Sequence, residues 1–223
     1  MSVLWKQFLP YILPDVPGCP RHLAENAARD AGLEFGRESN YWTGTLAPIN
    51  VVAGQSDYQL VAPTDAYITS PTQVQFYDGN ETTTINPTTF DMLASSSTDW
   101  RNENSLVPSY YWMRDPMILS LYPTPNTAYT GALRVDVNLT SSRSSLTAPD
   151  TLYECWAEAV GYGAKYRLMM IANKTWSNME AASIQKKLFD SMCAKARGHS
   201  IKSLSGISMG AKAQSFGGVR DTV

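Results

Sequence analysis

Helical periodicity brackets a long stretch of this chain that has none of it. Residues 20–38 place Ala24, Ala28, Ala31 and Phe35 at spacings of four, three and four, which is one face of a helix. Residues 151–172 carry a second stripe through Leu152, Cys155, Trp156, Ala159, Gly163, Tyr166 and Met170. Ser177-Asn178-Met179-Glu180 has the form of a capping box. It opens a third helix over residues 178–197, with Ala181, Ile184, Leu188 and Met192 as its apolar side. Between these helices, from residue 41 to 140, glycine, proline, threonine and β-branched residues dominate. The chain must leave a helical unit, build a β domain and come back. The expected fold class is α+β: a helical bundle with an inserted antiparallel β domain and an extended C-terminal tail. The expected division is 1–40 for the first helices, 41–148 for the β domain, 149–198 for the returning helices and 199–223 for the tail.

Local signals fill in this frame. Ser2 is placed to cap a short helix over residues 3–9, and Pro10, Pro14, Pro17 and Pro20 interrupt the path after it. Pro20 suits the first position of the next helix. Strands are expected at 41–52, 58–60, 66–77, 81–85, 110–114, 117–122 and 132–139, with a short helix at 87–94. Asp78-Gly79-Asn80 is a hairpin signal. Gly161 and Gly163 each cost about 1 kcal/mol against alanine inside a helix, a cost that close backbone packing offsets. The small face Ala24, Ala28 and Ala31 is therefore expected to meet Gly161, Gly163 or Ala164. Gly198 is placed to stop the last helix.

Composition excludes several kinds of function. The 223 residues are 43% hydrophobic, enough for a packed core, and 18 basic against 20 acidic residues leave a net charge of −2. That balance argues against gripping DNA by phosphate neutralisation. Three scattered cysteines, Cys19, Cys155 and Cys193, form neither a zinc signature nor a disulfide framework. Residues 1–13 are apolar without a basic start or a cleavage site, and no apolar run is long enough to span a membrane. The chain is thus expected to be made in a reducing cytoplasm. His22 starts one helix and His199 follows another, and neither sits in a catalytic motif. Scattered acids such as Asp57, Asp99 and Glu103 read as turn formers. Asp78-Gly79-Asn80-Glu81 resembles the start of a calcium loop but lacks the rest of the spacing. No catalytic residue, metal or cofactor is expected. Tyr110-Tyr111-Trp112 must show an aromatic ring to each face of its strand, and such rings either close a core or meet a partner. After residue 199 the chain is rich in Gly, Ser and Ala with single apolar residues, the composition either of a frayed terminus or of a segment that orders on a partner. Ile207, Met209, Lys212, Phe216 and Arg220 are its candidate interface residues.

The order of several weak motifs resembles the head-to-tail adaptor (connector, head-completion) proteins of tailed bacteriophages. It begins with Glu34-Phe35-Gly36-Arg37 and Tyr41-Trp42, then Gly54 with Asp57-Tyr58-Gln59-Leu60 and Pro63. Leu119-Ser120-Leu121-Tyr122-Pro123-Thr124-Pro125 follows, then 158–168 and finally Trp176-Ser177-Asn178-Met179-Glu180-Ala181-Ala182. Asn173-Lys174-Thr175, where a proline is usual, and the long tail depart from that pattern. The resemblance implies a structural virion protein without enzymatic activity. It implies a ring of twelve subunits at the head–tail junction, made in the host cytoplasm, bound to the portal and to a tail or nozzle protein. Genomic DNA would pass through the channel without specific binding. The competing readings are a tail-tube or nozzle ring protein, and a glycan-binding or wall-degrading tail component.

Overall fold

The computed structural model describes residues 2–96, 99–115 and 117–205. The fold is α+β, with two buried clusters, one helical and one in the sheet. The helical cluster contains Trp5, Phe8, Phe35 and Phe189 among its largest members, and the sheet cluster contains Leu60, Ile68, Phe76, Leu119, Leu121 and Leu133.

The chain starts with β1 (Ser2–Leu4), not with a capped helix. β1 pairs antiparallel with β12 (Thr147–Pro149), so the start of the chain is laced to the place where it returns to the helical unit. The predicted helix over 3–9 is displaced into a 3₁₀ segment, Trp5–Tyr11, because Ser2 is used in a ladder rather than as a cap. A second 3₁₀ turn, Leu13–Asp15, follows. Helix α1 (Arg21–Ser39) has Pro20 as its N-cap and ends on Asn40, whose left-handed backbone (φ 51°) lets its N–H reach the Gly36 carbonyl at 3.2 Å.

The β domain holds β2 (Trp42–Thr45), β3 (Ile49–Val51), β4 (Asp57–Gln59), β5 (Ala66–Tyr77) and β6 (Thr82–Pro87). Next come α2 (Phe90–Ser96), a 3₁₀ turn at Trp100–Asn102, β7 (Asn104–Ser105) and β8 (Tyr110–Asp115). β9 (Ile118–Tyr122), β10 (Thr124–Pro125) and β11 (Tyr129–Ser141) complete it. The main sheet runs β2-β11-β5-β6-β8-β9-β4, with β3 also on β11. It is antiparallel, as expected, except where β6 meets β8 in parallel. Small β7 and β10 also pair in parallel. The hairpin at Asp78 is a plain turn: the Asp78 carboxylate accepts the N–H groups of Asn80 and Glu81 at 2.8 and 2.7 Å, which lowers its pKa.

Two helices return: α3 (Asp150–Met169) and α4 (Met179–Ser205). At Trp156 the backbone of α3 leaves helical geometry (φ −135°, ψ 19°). This kink breaks the single stripe read from the sequence. Cys155 is exposed, and Met170, just past the helix end, is 53% exposed. Beyond the kink α3 is buried on two sides. Gly163 lies where a methyl would come within 2.8 Å of the Ala31 Cβ and 2.7 Å of the Phe189 ring, so α1, α3 and α4 cross there. Ala24, Ala28, Ala31 and Ala164 are all fully buried in this cluster. Gly161 does not face α1. Its open side meets Tyr11, 3.1 Å from Cβ and 3.2 Å from the carbonyl oxygen, because two residues along a helix turn about 200°. Lys165 fixes the same side, pairing with Asp15 at 2.8 Å.

The two clusters join through α1 and β11. A Cβ on Gly36 would lie 2.5 Å from the Thr140 hydroxyl, and that hydroxyl donates to the Leu33 carbonyl at 3.4 Å. Gly32 gives the same close seat to the Trp5 ring, 2.6 Å from a would-be Cβ. Helix α4 does not stop at Gly198. Arg197 donates to the Glu38 carbonyl at 2.7 Å, and the Ser200 hydroxyl donates to the Asn40 carbonyl at 2.8 Å. The Ser200 bond lies beyond residue 198 on the continuing helix, and both bonds hold the end of α1 where the chain departs for the sheet.

These contacts give two predictions. Gly163→Ala forces the Ala31 and Phe189 contacts apart and should destabilise by about 1–3 kcal/mol. Gly198, inside α4 with nothing within 4 Å of a would-be Cβ, should gain about 0.5–1 kcal/mol as alanine. Thermal melts of the two variants are the measurement, and a Gly163→Ala protein that melts with the parent would sink the three-helix crossing. The second prediction concerns alkaline pH. Burial, followed by the charges of Asp190, Glu34 and Glu38, pushes the Cys193 thiol from 9.0 up to about 12, against an opposing pull from Lys186. The folded state therefore keeps a proton that the unfolded chain releases above pH 9. Stability from this thiol is intact below pH 9 and is lost as pH rises toward about 12. The melting temperature should fall over that window, and fall less steeply in Cys193→Ala; equal slopes would remove the assignment.

Candidate functional site

Helix α4 carries exposed apolar residues, Ile184 and Leu188, on the side away from its core contacts. Asn178 caps it: its side-chain oxygen accepts the Ala181 N–H at 3.0 Å, and its carbonyl accepts the Ala182 N–H at 2.9 Å. The cap is one residue later than the capping box placed it, because the Ser177 hydroxyl turns back and donates to the Ile171 carbonyl. The residues facing the core are Ala182, Phe189, Cys193 and Ala196. The predicted core stripe, Ala181, Ile184, Leu188 and Met192, lies about a quarter turn away, since each residue advances the helix by about 100°. Ile184 is 53% exposed and Leu188 41% exposed, while Ala181 and Met192 are half-buried at its flanks. Helix α4 thus has two apolar faces, one satisfied inside the chain and one open.

A polar cluster sets that orientation. Glu34 on α1 accepts the Tyr166 hydroxyl at 2.9 Å and a guanidinium N–H of Arg167, both from α3. The Lys186 ammonium on α4 reaches Glu34 at 3.5 Å and Asp190 at 2.5 Å. It also lies 5.3 Å over the Tyr166 ring and 5.2 Å over the Phe189 ring. Burial lowers the Lys186 pKa, but the Asp190 hydrogen bond and the charges of Glu34 and Asp190 outweigh it, holding the ammonium above 10.5. Burial raises Tyr166, so its phenol stays protonated as a donor. One carboxylate therefore orders all three helices, and α4 cannot rotate its open stripe inward without giving up that contact.

None of this resembles a reaction centre. His22 lies exposed in the first turn of α1, and His199 stands against the Trp156 ring at 6.1 Å. Among the described residues no group of three or more His, Cys, Asp or Glu is placed to hold a metal ion. No described helix is long and apolar enough to cross a membrane. The candidate tail residues Ile207, Met209, Lys212, Phe216 and Arg220 lie outside the described residues. The sequence reading missed Gly32, Gly36, Glu34 and the outward turn of Ile184 and Leu188. Two apolar stripes a quarter turn apart on one helix were the available signal for the last.

The comparison with known families agrees with this architecture. Among curated proteins no relative matches the chain. Residues 13–205 match the family described as SU10 adaptor protein, which covers the bundle, the β domain and α4 to its last residue. The chain belongs to the SU10 adaptor protein family, and is a structural adaptor of the bacteriophage type.

Proposed function

We propose that the protein assembles into a ring beneath the portal, where it joins the DNA-filled head to the tail and continues the DNA channel. The observation that carries this reading is the open apolar face of α4, Ile184 and Leu188, on a helix whose other face is already satisfied. An adaptor must present the same surface to a neighbour in every copy, and side-by-side helices with such a stripe suit that geometry. In this reading twelve copies sit at the head–tail junction of the virion, as the resemblance to head-to-tail adaptors implies, and the portal supplies the template. A tail or nozzle protein docks on the free side. The chain acts without catalysis, and its near-neutral charge lets DNA pass without specific binding. Residues such as Ile207, Met209 and Phe216 occupy grooves on the portal or a neighbouring subunit, with Lys212 and Arg220 at the edges.

Mixing purified protein with portal rings and imaging the product tests the assembly. The parent should add a layer to one end of the portal. Ile184→Lys and Leu188→Lys should melt within about 0.5 kcal/mol of the parent, because both positions are exposed, yet fail to complete the layer. Variants that complete it normally would remove the α4 face from the interface, and docking to a tail protein but not the portal would move the ring lower in the virion. Deleting 205–223 should leave the body folded and produce heads that lose DNA. Equal DNA retention with and without these residues would take partner contact away from the tail.

A further inference from the structure

The β domain contains a second feature that the adaptor role does not use. The parallel pairing of β6 with β8 requires a crossover, and residues 88–109 provide it as α2, the 3₁₀ turn and β7. Trp100 in this crossover is 6% exposed and packs edge-on against Phe90 at 5.6 Å, Trp112 at 5.5 Å and Tyr122 at 6.0 Å. Between the crossover and β4 lies a cavity of about 290 Å³. That volume is at the lower bound of small-ligand sites, so its occupant is compact.

Two cations and one anion line this cavity: Arg101, Arg114 and Asp57. The two arginines differ in what they already hold. Arg114 donates one N–H to Asp57 at 3.1 Å, and the other Asp57 oxygen accepts the Ser120 hydroxyl at 2.6 Å. The Arg101 guanidinium sits 4.7 Å over the Trp100 ring and 5.3 Å over the Phe90 ring, which covers both rings and keeps the cation at the cavity. Among the described residues that guanidinium has no carboxylate partner and donates no hydrogen bond. Glu103 does not neutralise it, because its carboxylate takes the Tyr122 hydroxyl. One positive charge with unused donors is therefore left on the lining.

That charge decides the class of ligand. A cation meets two arginines, and a neutral ligand leaves Arg101 unpaired. One net positive charge matches one negative charge, and the planar fork of a guanidinium matches a carboxylate in two parallel hydrogen bonds. A polyanion fits less well, because the charges on either side of the bound one meet Asp91, Asp99 and Glu103 on the crossover outside the cavity. The rest of the wall includes Trp112, Leu121 and Tyr122, which give apolar surface to whatever carries the carboxylate.

We propose that this pocket binds a single carboxylate on a short apolar stem, the carboxylate on Arg101 and Arg114 and the stem against Trp112 and Leu121. A small organic acid and an acidic side chain beside an apolar one share this chemistry. The site lies on the β domain rather than on α4 and does not depend on the ring reading.

NMR titration of the full chain tests it, with phenylacetate as the acid, phenylacetamide as its neutral isostere and acetyl-Phe-Glu-amide as the peptide. Phenylacetate should bind saturably in the millimolar range, and phenylacetamide about tenfold more weakly or not at all. Arg101→Ala and Arg114→Ala, both at exposed side chains, should each weaken phenylacetate about tenfold, the loss of a hydrogen bond to a charged group. Asp57→Asn should tighten it about threefold, because a like charge leaves the wall. Ile184→Lys should leave it unchanged. Circular dichroism melts show that the variants are folded, and Arg114→Ala carries the test alone if Arg101→Ala does not fold. Tighter binding of the peptide than of phenylacetate assigns the carboxylate to a protein partner, and the reverse assigns it to a small acid; both support the site. No saturable binding of either carboxylate overturns the proposal. So does phenylacetamide binding as well as phenylacetate, binding that is unchanged in both arginine variants, or tighter binding of oligothymidylate competing for the same site.

Discussion

The bundle depends on a position where nothing larger than hydrogen fits. At Gly163 the Ala31 methyl from α1 and the Phe189 ring from α4 both press on α3, each closer than 3 Å to the place a Cβ would take. Close approach lets large side chains stack over the crossing. Phe35, one turn from Ala31, reaches Phe189 at 6.3 Å, Trp156 at 5.5 Å and Tyr41 at 5.5 Å. Arg167, four residues beyond Gly163, donates to its carbonyl at 3.1 Å and also to Glu34. The same crossing is thus held by shape on one side and by charge on the other. The steric part is the stronger, since Glu34 and Arg167 stay about a quarter exposed and water screens them.

From that crossing the order extends to the sheet. Gly36 repeats on α1 what Gly163 does on α3, seating Thr140 of β11 against the helix backbone. The long β11 is central in the sheet, with β5 on one side and β2 and β3 on the other. Whatever fixes α1 against β11 therefore fixes most of the β domain. Arg197 and Ser200 of α4 add hydrogen bonds at Glu38 and Asn40, the point of departure. The β1–β12 ladder closes the other crossing of the chain. A β domain tied at several separate points keeps a set position relative to α4.

What could be read from the chain, and what could not, follows the range of each interaction. The helices and the longer strands were legible because periodicity and turn residues such as Asp78-Gly79 act within a few residues. The partner of Gly161 was not, because Tyr11 is 150 positions away and nothing local distinguishes it from Ala24. Ser2 was misread for the same reason: its ladder partner, Pro149, is distant in the chain. On α4 the error was one of phase. Both the Ser177 and the Asn178 starts are chemically reasonable, and only the Ile171 carbonyl, which takes the Ser177 hydroxyl, decides between them. In the fold Phe189 faces the core and Leu188 outward. The kink at Trp156 had the same effect on α3, since no proline or glycine lies at that residue to announce it.

The outward phase of α4 also bears on why assembly would need a template. Completing the burial of Ile184 and Leu188, each about half exposed, gives each contact about 0.5–1.5 kcal/mol. Bringing two free chains together costs an estimated 4–15 kcal/mol in translational and rotational freedom. The stripe on its own is too weak to join two chains in solution. Once a pre-formed ring of binding places holds neighbours side by side, that cost has already been met by the docking contacts. Each stripe then closes at almost no further expense, and every added subunit completes a contact begun by the one before it. In the proposed ring, an interface this modest is what keeps assembly confined to the portal.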